Sequence, residues 1–353
     1  MKQDPHDPEE TIKDKASQQT ALNEPSLAST GNTAGRQIAR AASVVMLAYI
    51  FSTIIGILRG MVVSGAFGTS ADLDSFNAAN RVTELLFNLT AGGALGSAFI
   101  PMFTGLLTRK ENEKAWRLAS GVLNTLLIAL IIVAALMWIF APTIVEKGLF
   151  VLSPGTAVTQ IELTVRLLRI MLPTVIIFGI SGLVMGMLNA HQVFLWPALA
   201  PAAYSLGMIL GVWLLPKSMG IDRLAYGTVI GAVGHFLLQT PTLFRLPKRQ
   251  YFLLEGLKNK ATRQVFKLMG PRILGASVVQ LNFVANTIIG LSLGEGAASA
   301  VTWAFTLMLM PQAAIAQSAG TASLPTLSAQ FELGQHEAFK NTLAGIIRAV
   351  MLL

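Results

Sequence analysis

Apolar stretches of about 20 residues recur along the chain, and they limit its possible folds more than any other feature. Each is long enough to cross a hydrocarbon core of roughly 30 Å as a helix. The alternating pattern of a membrane β-barrel is absent, and lipid demands an internal partner for every backbone amide. With 53% hydrophobic and 12% charged residues, the chain is too apolar for a soluble domain. The sequence therefore predicts an all-α, polytopic membrane protein.

Hydropathy places eight complete spans and the start of a ninth, which begins near residue 339. The chain ends inside that ninth apolar segment, which we interpret as a truncation. Residues 1–36 are polar and mixed in charge, so they are predicted to form a disordered tail. The eight spans are predicted at 38–63, 75–107, 116–142, 161–189, 194–215, 223–246, 264–293 and 297–327.

Basic residues lie mainly in alternate loops, which predicts the orientation in the membrane. The N-terminal tail, the second loop and the sixth loop carry most Lys and Arg, and seven of these lie between Arg245 and Lys267. These segments are expected to face the cytoplasm, with the N-terminus inside. The same distribution explains the net charge of +8, so nucleic acid is not an expected partner.

The side chains that metal or nucleophile chemistry requires are sparse. The chain has no cysteine, and its four histidines lack the spacing of metal ligands. Hydrolase and nucleotide-binding motifs are also absent from the sequence. We therefore expect neither an enzyme nor a metal or other cofactor.

An internal repeat indicates the organisation of the spans. Residues 41–56 align without gaps to residues 275–290, with nine of sixteen positions identical at an offset of 234. A second match, 97–104 against 321–328, follows at an offset of 224. Since spans one and seven cross in the same direction, the sequence predicts two parallel six-helix repeats.

These repeats define the predicted domains. They are a first transmembrane lobe over 37–247, a basic cytoplasmic connector over 248–262, and the start of a second lobe over 263–353. Two such lobes are a common transporter plan in which the substrate is held between them.

Span two carries the main candidate site. Five polar residues at spacings of 3, 4, 3 and 4 share one helix face: Asp74, Asn77, Arg81, Glu84 and Asn88. Ionisable groups within a span are costly unless they meet water or one another. The stripe is thus predicted to line a central cavity, or else to form a self-paired ladder that joins helices.

Further candidates lie on spans one and seven. Arg59 stands among apolar neighbours, where it either faces the same cavity and attracts an anion or extends to the membrane surface. Asn282 and Asn286 give the second lobe a polar, uncharged face. Five G-x-x-x-G pairs, including Gly207/Gly211 and Gly227/Gly231, predict close approaches between helices.

Several segments together resemble the MviN/MurJ family, the lipid II flippases of bacterial peptidoglycan synthesis. The resemblance covers nearly all of residues 38–353, and it implies fourteen helices, in two six-helix lobes plus two more. The segments that carry it are FSTIIGILRGMVVSGAFGTSADLDSF (51–76), GGALGSAFIPMF (92–103), MLPTVIIFGISGLVMGMLNA (171–190), MGPRILGASVVQLNFVANTI (269–288) and GTASLPTLS (320–328).

The resemblance also implies site residues. The first-helix arginine of the family falls on Arg59 and its acidic residue after the glycine-rich turn falls on Asp74. Its other cavity arginines and an acidic residue of the eighth helix are replaced here, by Thr53, Phe87, Thr306 and Leu309. A diphosphate in a low-dielectric cavity needs compensating cations, so these replacements indicate a divergent member.

The resemblance implies a flippase in the bacterial inner membrane. It would move lipid II or a related lipid-linked oligosaccharide to the outer leaflet by alternating access. The implied partners are the lipid-linked saccharide, membrane lipids and cell-wall synthesis enzymes. Two alternatives remain open: an ion-coupled drug, metabolite or polysaccharide exporter that uses Asp74 and Glu84 as coupling carboxylates, and a non-transporting scaffold for envelope synthesis.

Overall fold

The computed structural model describes residues 27–90, 93–153, 155–312, 327, 330 and 334–352. Regular structure in these residues is helical throughout. A π-helical turn at Val145–Leu149 extends α4, and a 3-10 turn at Lys217–Met219 precedes α7. The helices are α1 Leu27–Phe67, α2 Ala71–Thr90, α3 Gly93–Thr108, α4 Asn112–Ile144, α5 Val158–Ala190, α6 Leu195–Leu214, α7 Asp222–Phe244, α8 Lys260–Ser292, α9 Ala297–Gln312 and α10 His336–Leu352.

The regular structure of the described residues is helical, as predicted, and several of these helices are long and apolar enough to cross a membrane. Two shorter apolar helical segments, Ala98–Thr108 and Ala297–Leu309, lie in α3 and α9. The eight-span count, the ninth span and the repeat plan stay predictions. Within the described part of the chain, five helical segments have this length and apolar character: Val45–Phe67, Asn112–Leu149, Val158–Ala190, Leu195–Leu214 and Lys260–Ser292.

Several predicted boundaries differ from the structure. Helix α1 begins at Leu27, so residues 27–36 of the predicted disordered tail are helical, because extending an existing helix is far easier than nucleating one. Residues 1–26 lie outside the described part of the chain. The single span predicted at 75–107 is described as two helical segments, Ala71–Thr90 and Gly93–Thr108, and residues 91–92 between them lie outside the described part of the chain.

The end of the eighth predicted span cannot be compared with the structure. Helix α9 ends at Gln312, and most residues between 313 and 333 lie outside the described part, including Pro325. The second repeat match, at 321–328, falls largely in this region.

Two clusters of buried apolar side chains form the interior, and α8 contributes to both. One cluster, around Leu73 and Met171, includes Leu291 from the end of α8. The other, around Phe103, includes Val265 and Met269 from the beginning of α8. Both ends of helix α8 are therefore packed against helices of the predicted first lobe.

Helices α6 and α7 pack at backbone contact through paired glycines. A Cβ atom placed on Gly207 would lie 2.1 Å from the Gly231 Cα, and one on Gly211 would lie 2.4 Å from the Gly227 Cα. Two of the predicted G-x-x-x-G pairs thus face each other in this antiparallel contact.

The connector between α7 and α8 folds back onto α4. The Asn124 side-chain amide donates to the carbonyls of Phe252, Leu253 and Glu255, at 2.9 to 3.1 Å. Arg117 donates to Glu255 at 2.7 Å. This hydrogen bond lowers the pKa of the Glu255 carboxyl. The connector is thus fixed at one membrane face, and the starts of α2 and α9 lie at the other.

Candidate functional site

The polar stripe of α2 lies against α8 and α9, the helices of the predicted second lobe. Helix α2 begins after a short turn, where Ser70 Oγ accepts from the Leu73 amide at 3.3 Å. Two acidic residues, Asp72 and Asp74, occupy its first turn, where they complement the positive end of the helix dipole. Four of the five stripe residues contact α8, α9 or the turn between them.

Asp74 caps the beginning of α9 across this contact. Its carboxylate accepts from the Gly296 amide at 2.7 Å, the Ser299 amide at 2.6 Å and the Ser299 hydroxyl. The carboxyl side chain is buried, at 1% exposure. Asn77, one turn later, donates to Ser299 Oγ at 3.0 Å. Asp74 therefore stabilises the otherwise unpaired amides at the start of α9.

A second contact runs in the opposite direction. Glu295, in the turn before α9, accepts from the amide of Ala71 at the start of α2 at 3.3 Å. Gly296 has a φ of +80°, and a Cβ atom there would lie 2.5 Å from the Thr69 carbonyl oxygen, so only glycine fits. Backbone amides at the start of α2 and at the start of α9 thus each donate to a carboxylate from the other helix start. We call the hydrogen bonds of Ala71, Asp74, Asn77, Glu295, Gly296 and Ser299 the helix-start latch.

Arg81 and Glu84 form an ion pair deeper along the stripe. Arg81 donates to Glu84 at 2.8 Å, and its guanidinium lies 5.1 Å from the centre of the Phe283 ring of α8. The Arg81 Nε atom is buried without a hydrogen-bond partner. This pair is the arrangement that the ladder interpretation predicts, although it also leaves one arginine N–H available.

The remaining asparagines are divided between two faces. Asn88 of α2 donates to Gln280 of α8 at 3.4 Å. Asn286 donates to Asn282 at 3.2 Å, and both are exposed. At about 100° per residue, Asn282 lies on the opposite side of α8 from Gln280. The structure therefore does not bring Asn282 and Asn286 to the stripe.

Arg59 reaches the same region from α1. Its guanidinium contacts the Met208 sulfur at 3.9 Å, and within the described residues no carboxylate lies within 4.0 Å of it. A Cβ atom placed on the neighbouring Gly60 would lie 2.9 Å from the Trp303 ring of α9, so this part of α1 lies beside a helix that the stripe also contacts. Arg59 is half-buried and holds a cation that an anion could neutralise.

The replaced positions contribute no charge to this region. Thr53 and Thr306 donate to the carbonyls four residues earlier on their own helices. The Phe87 ring lies 4.9 Å from the Phe178 ring, and Leu309 is exposed. Arg59 and Arg81 are thus the arginines that α1 and α2 direct to this region.

The sequence reasoning did not identify Glu295 and Ser299, which hold the far side of the helix-start latch. Both lie within GEGAAS (294–299), where an acidic residue stands between two glycines of a tight turn. The only available signal was this isolated acid at a helix start, and its partner lies 224 residues away.

Comparison with known proteins adds independent information. The chain is 31% identical over 300 residues to a lipid II flippase MurJ of Burkholderia cenocepacia, which covers 82% of this chain and 57% of the relative. It is 30% identical over 316 residues to a probable lipid II flippase MurJ of Bdellovibrio bacteriovorus, covering 87% and 59%. The chain therefore spans less than two thirds of the length of these relatives.

Solved structures share the helical arrangement. A lipid II flippase MurJ in an inward closed conformation superposes with a TM-score of 0.70 at 23% identity, covering 87% of this chain and 62% of that one. An inward-facing multidrug resistance MATE transporter of the MOP superfamily gives 0.64 at 19% identity, covering 87% and 70%. These two matches show the fold. The family model "Lipid II flippase MurJ" matches residues 63–353, which is most of the sequence, and the chain therefore belongs to the lipid II flippase MurJ family.

Proposed function

We propose that this protein is part of a flippase that moves lipid II, or a closely related lipid-linked saccharide, across the bacterial inner membrane. The observation that carries the proposal is the polar face of α2, which lies against α8 and α9 and is joined to them at one end by the helix-start latch. In a protein of this family, such a face is where a polar head group would pass while its lipid tail stays in the bilayer.

The helix-start latch acts as the gate of one membrane side. We assign the N-terminus and the connector to the cytoplasm, because the basic loops lie on that side. The latch then lies at the outer side, where it must open to release the head group. Its hydrogen bonds engage helix ends, so they can break without unfolding either helix.

Arg59 attracts the anionic head group, and Arg81 supplies a second cation once its pair with Glu84 rearranges. The negative interior of the cell favours outward movement of an anion by about 2.3 kcal/mol per charge per 100 mV. Such transport needs no nucleotide hydrolysis, so the activity is that of a transporter and not of an enzyme. Cell-wall synthesis enzymes would use the delivered substrate and are the proposed protein partners.

The test uses a bacterium depleted of its own lipid II flippase and measures the fraction of lipid II reachable from outside the cell. We expect the product of the complete gene to restore that fraction. Arg59→Ala should reduce it about tenfold, since a charge-assisted contact contributes about 1.5–3 kcal/mol. Arg59→Lys should retain part of the activity because it keeps the charge.

The matched control is Arg109→Ala, which removes an exposed arginine from the turn between α3 and α4. It should leave the fraction unchanged. Normal translocation by Arg59→Ala, at equal protein levels, would refute the role of Arg59. Failure of the product of the complete gene to restore that fraction would refute lipid II as the substrate.

The two alternatives are less well supported by the contacts. An ion-coupled exporter would use Asp74 and Glu84 as coupling carboxylates, yet both are engaged, Asp74 in the latch and Glu84 with Arg81. A scaffold would need no polar face between helices. Transport that follows an imposed proton or sodium gradient would favour the exporter. Full complementation by a variant with an apolar stripe would favour the scaffold.

A further inference from the structure

A groove between α4 and α5 lies outside the region described above. It has a volume of about 600 Å³ and lies near the membrane face of the helix-start latch. Its walls are mostly apolar, and Glu162, Arg166 and Arg169 of α5 also line it. The apolar walls are formed by Trp138, Pro142, Ile161, Val165 and Ile170.

Arg169 brings a charge to this groove that the described residues leave unpaired. Its guanidinium lies 4.5 Å from the centre of the Trp138 ring, and its Nε donates to the Trp138 carbonyl at 3.2 Å. In contrast, Arg166 forms an ion pair with Asp222 at 3.2 Å. No carboxylate of the described residues lies within 4.0 Å of Arg169. A cation on a membrane-facing helix is costly unless an anion accompanies it.

A second, more polar pocket continues the groove towards the water. It has a volume of about 820 Å³ and shares Glu162 and Arg166 with the first. Asp72, at the start of α2, also lines it. The two pockets together form one amphipathic cleft, with an apolar part, then Arg169, then Arg166 in its pair with Asp222, then the carboxylates of Glu162 and Asp72.

The position of Arg169 along α5 fits the depth of a lipid phosphate. Helix α5 has 33 residues, which corresponds to about 50 Å and exceeds the roughly 30 Å hydrocarbon core. If the excess is shared equally between its ends, the Arg169 backbone lies about 7 Å inside the core, from where its long side chain can extend to the interface. Glu162 then lies about 10 Å closer to the water. Trp138 is a residue type enriched at this interface.

We propose that this cleft binds a membrane phospholipid whose head group carries an ammonium beyond its phosphate, in the leaflet at the helix-start latch. Arg169 binds the phosphate, and Glu162 and Asp72 bind the ammonium. An acyl chain lies along Trp138 and the apolar wall of α5. The order of charges selects this class, because an uncharged glycerol head group would leave both carboxylates without a partner. The site is independent of the transported substrate.

The test uses the full chain in nanodiscs with equal amounts of phosphatidylethanolamine, phosphatidylglycerol and phosphatidylcholine. Native mass spectrometry counts the phospholipids that remain bound after the protein is released from the nanodisc. Phosphatidylethanolamine and phosphatidylcholine, which both carry an ammonium beyond the phosphate, should be retained above phosphatidylglycerol. Arg169→Gln should reduce retained phosphatidylethanolamine about tenfold. Glu162→Gln with Asp72→Asn should remove the preference while phospholipids stay bound.

Two further measurements keep the test decisive. Arg109→Gln, which replaces a distant exposed arginine, should leave lipid retention unchanged. Because Glu162 and Asp72 are exposed, their substitutions are informative even if Arg169→Gln unfolds the protein. Phosphatidylethanolamine with bromine in its acyl chains should quench the tryptophan fluorescence of the unaltered protein more strongly than that of the Trp138→Phe variant. Equal retention of all three lipids, retention unaffected by Arg169→Gln, or equal quenching would each overturn the proposal.

Discussion

Replacing Asp74 by alanine should separate the two sides of the helix-start latch. The substitution removes the acceptor of three hydrogen bonds, from the Gly296 and Ser299 amides and the Ser299 hydroxyl. Hydrogen bonds to a charged group contribute about 1.5–3 kcal/mol each, but these three share one carboxylate and water replaces part of them. We therefore expect the closed latch to lose about 3 kcal/mol of stability. A 99:1 ratio of joined to separated molecules would then become a roughly even mixture of the two.

The absence of cysteine from the sequence makes this loss directly measurable. Spin labels on Lys217→Cys and Leu293→Cys, both at exposed positions on the latch side, report the separation by double electron–electron resonance in lipid. Asp74→Ala should produce a second, longer distance. Asp74→Asn should produce less of it, because asparagine caps helices about as well as aspartate.

The control is Asp72→Ala, which removes an exposed carboxylate from the same helix turn without removing a described hydrogen bond across the latch. Its distance distribution should match that of the labelled parent. If Asp74→Ala also matched the parent, the claim that the latch holds these helices together would be refuted.

Three further predictions concern other contacts. Gly207→Ala should lower the melting temperature in detergent, since overpacking against Gly231 costs about 1–3 kcal/mol, whereas Gly56→Ala, with no atom within 4 Å of the added Cβ, should not. Because Arg117 lowers the pKa of Glu255, their contact should persist above the ordinary carboxyl pKa of 4.5 and weaken as the pH falls below it. A spin label on Leu254→Cys should then become more mobile on acidification, but not in a Glu255→Gln background. Ser181→Ala should destabilise the protein by about 1–3 kcal/mol, because it removes a buried partner of both His235 and Gln239, and thermal melting checks this.

The sequence predicts well those features that depend on local periodicity. The apolar repeats predicted membrane-crossing helices. The 3, 4, 3, 4 spacing predicted one shared face of α2, and four of its five residues contact α8, α9 or the turn between them. The glycine spacing predicted close approaches between helices, because small residues at four-residue intervals leave room for another backbone, and two of the five pairs meet between α6 and α7.

Features that depend on distant residues could not be predicted in the same way. No local pattern indicates that Glu295 accepts from Ala71, or that Asp74 is already occupied by the start of α9. The exposed side of Asn282 and Asn286 was likewise unpredictable, since it depends on which face of α8 meets α2. Local periodicity assigns a residue to a face, but only packing determines what that face contacts.

Opening of the helix-start latch requires water to bind the groups that the latch joins. The latch joins the two sides by five hydrogen bonds, and each bond that breaks leaves a donor and an acceptor that must bind water. Opening therefore consumes water, and its equilibrium depends on water activity. An excluded osmolyte such as sucrose should shift the protein towards the joined state without contacting it.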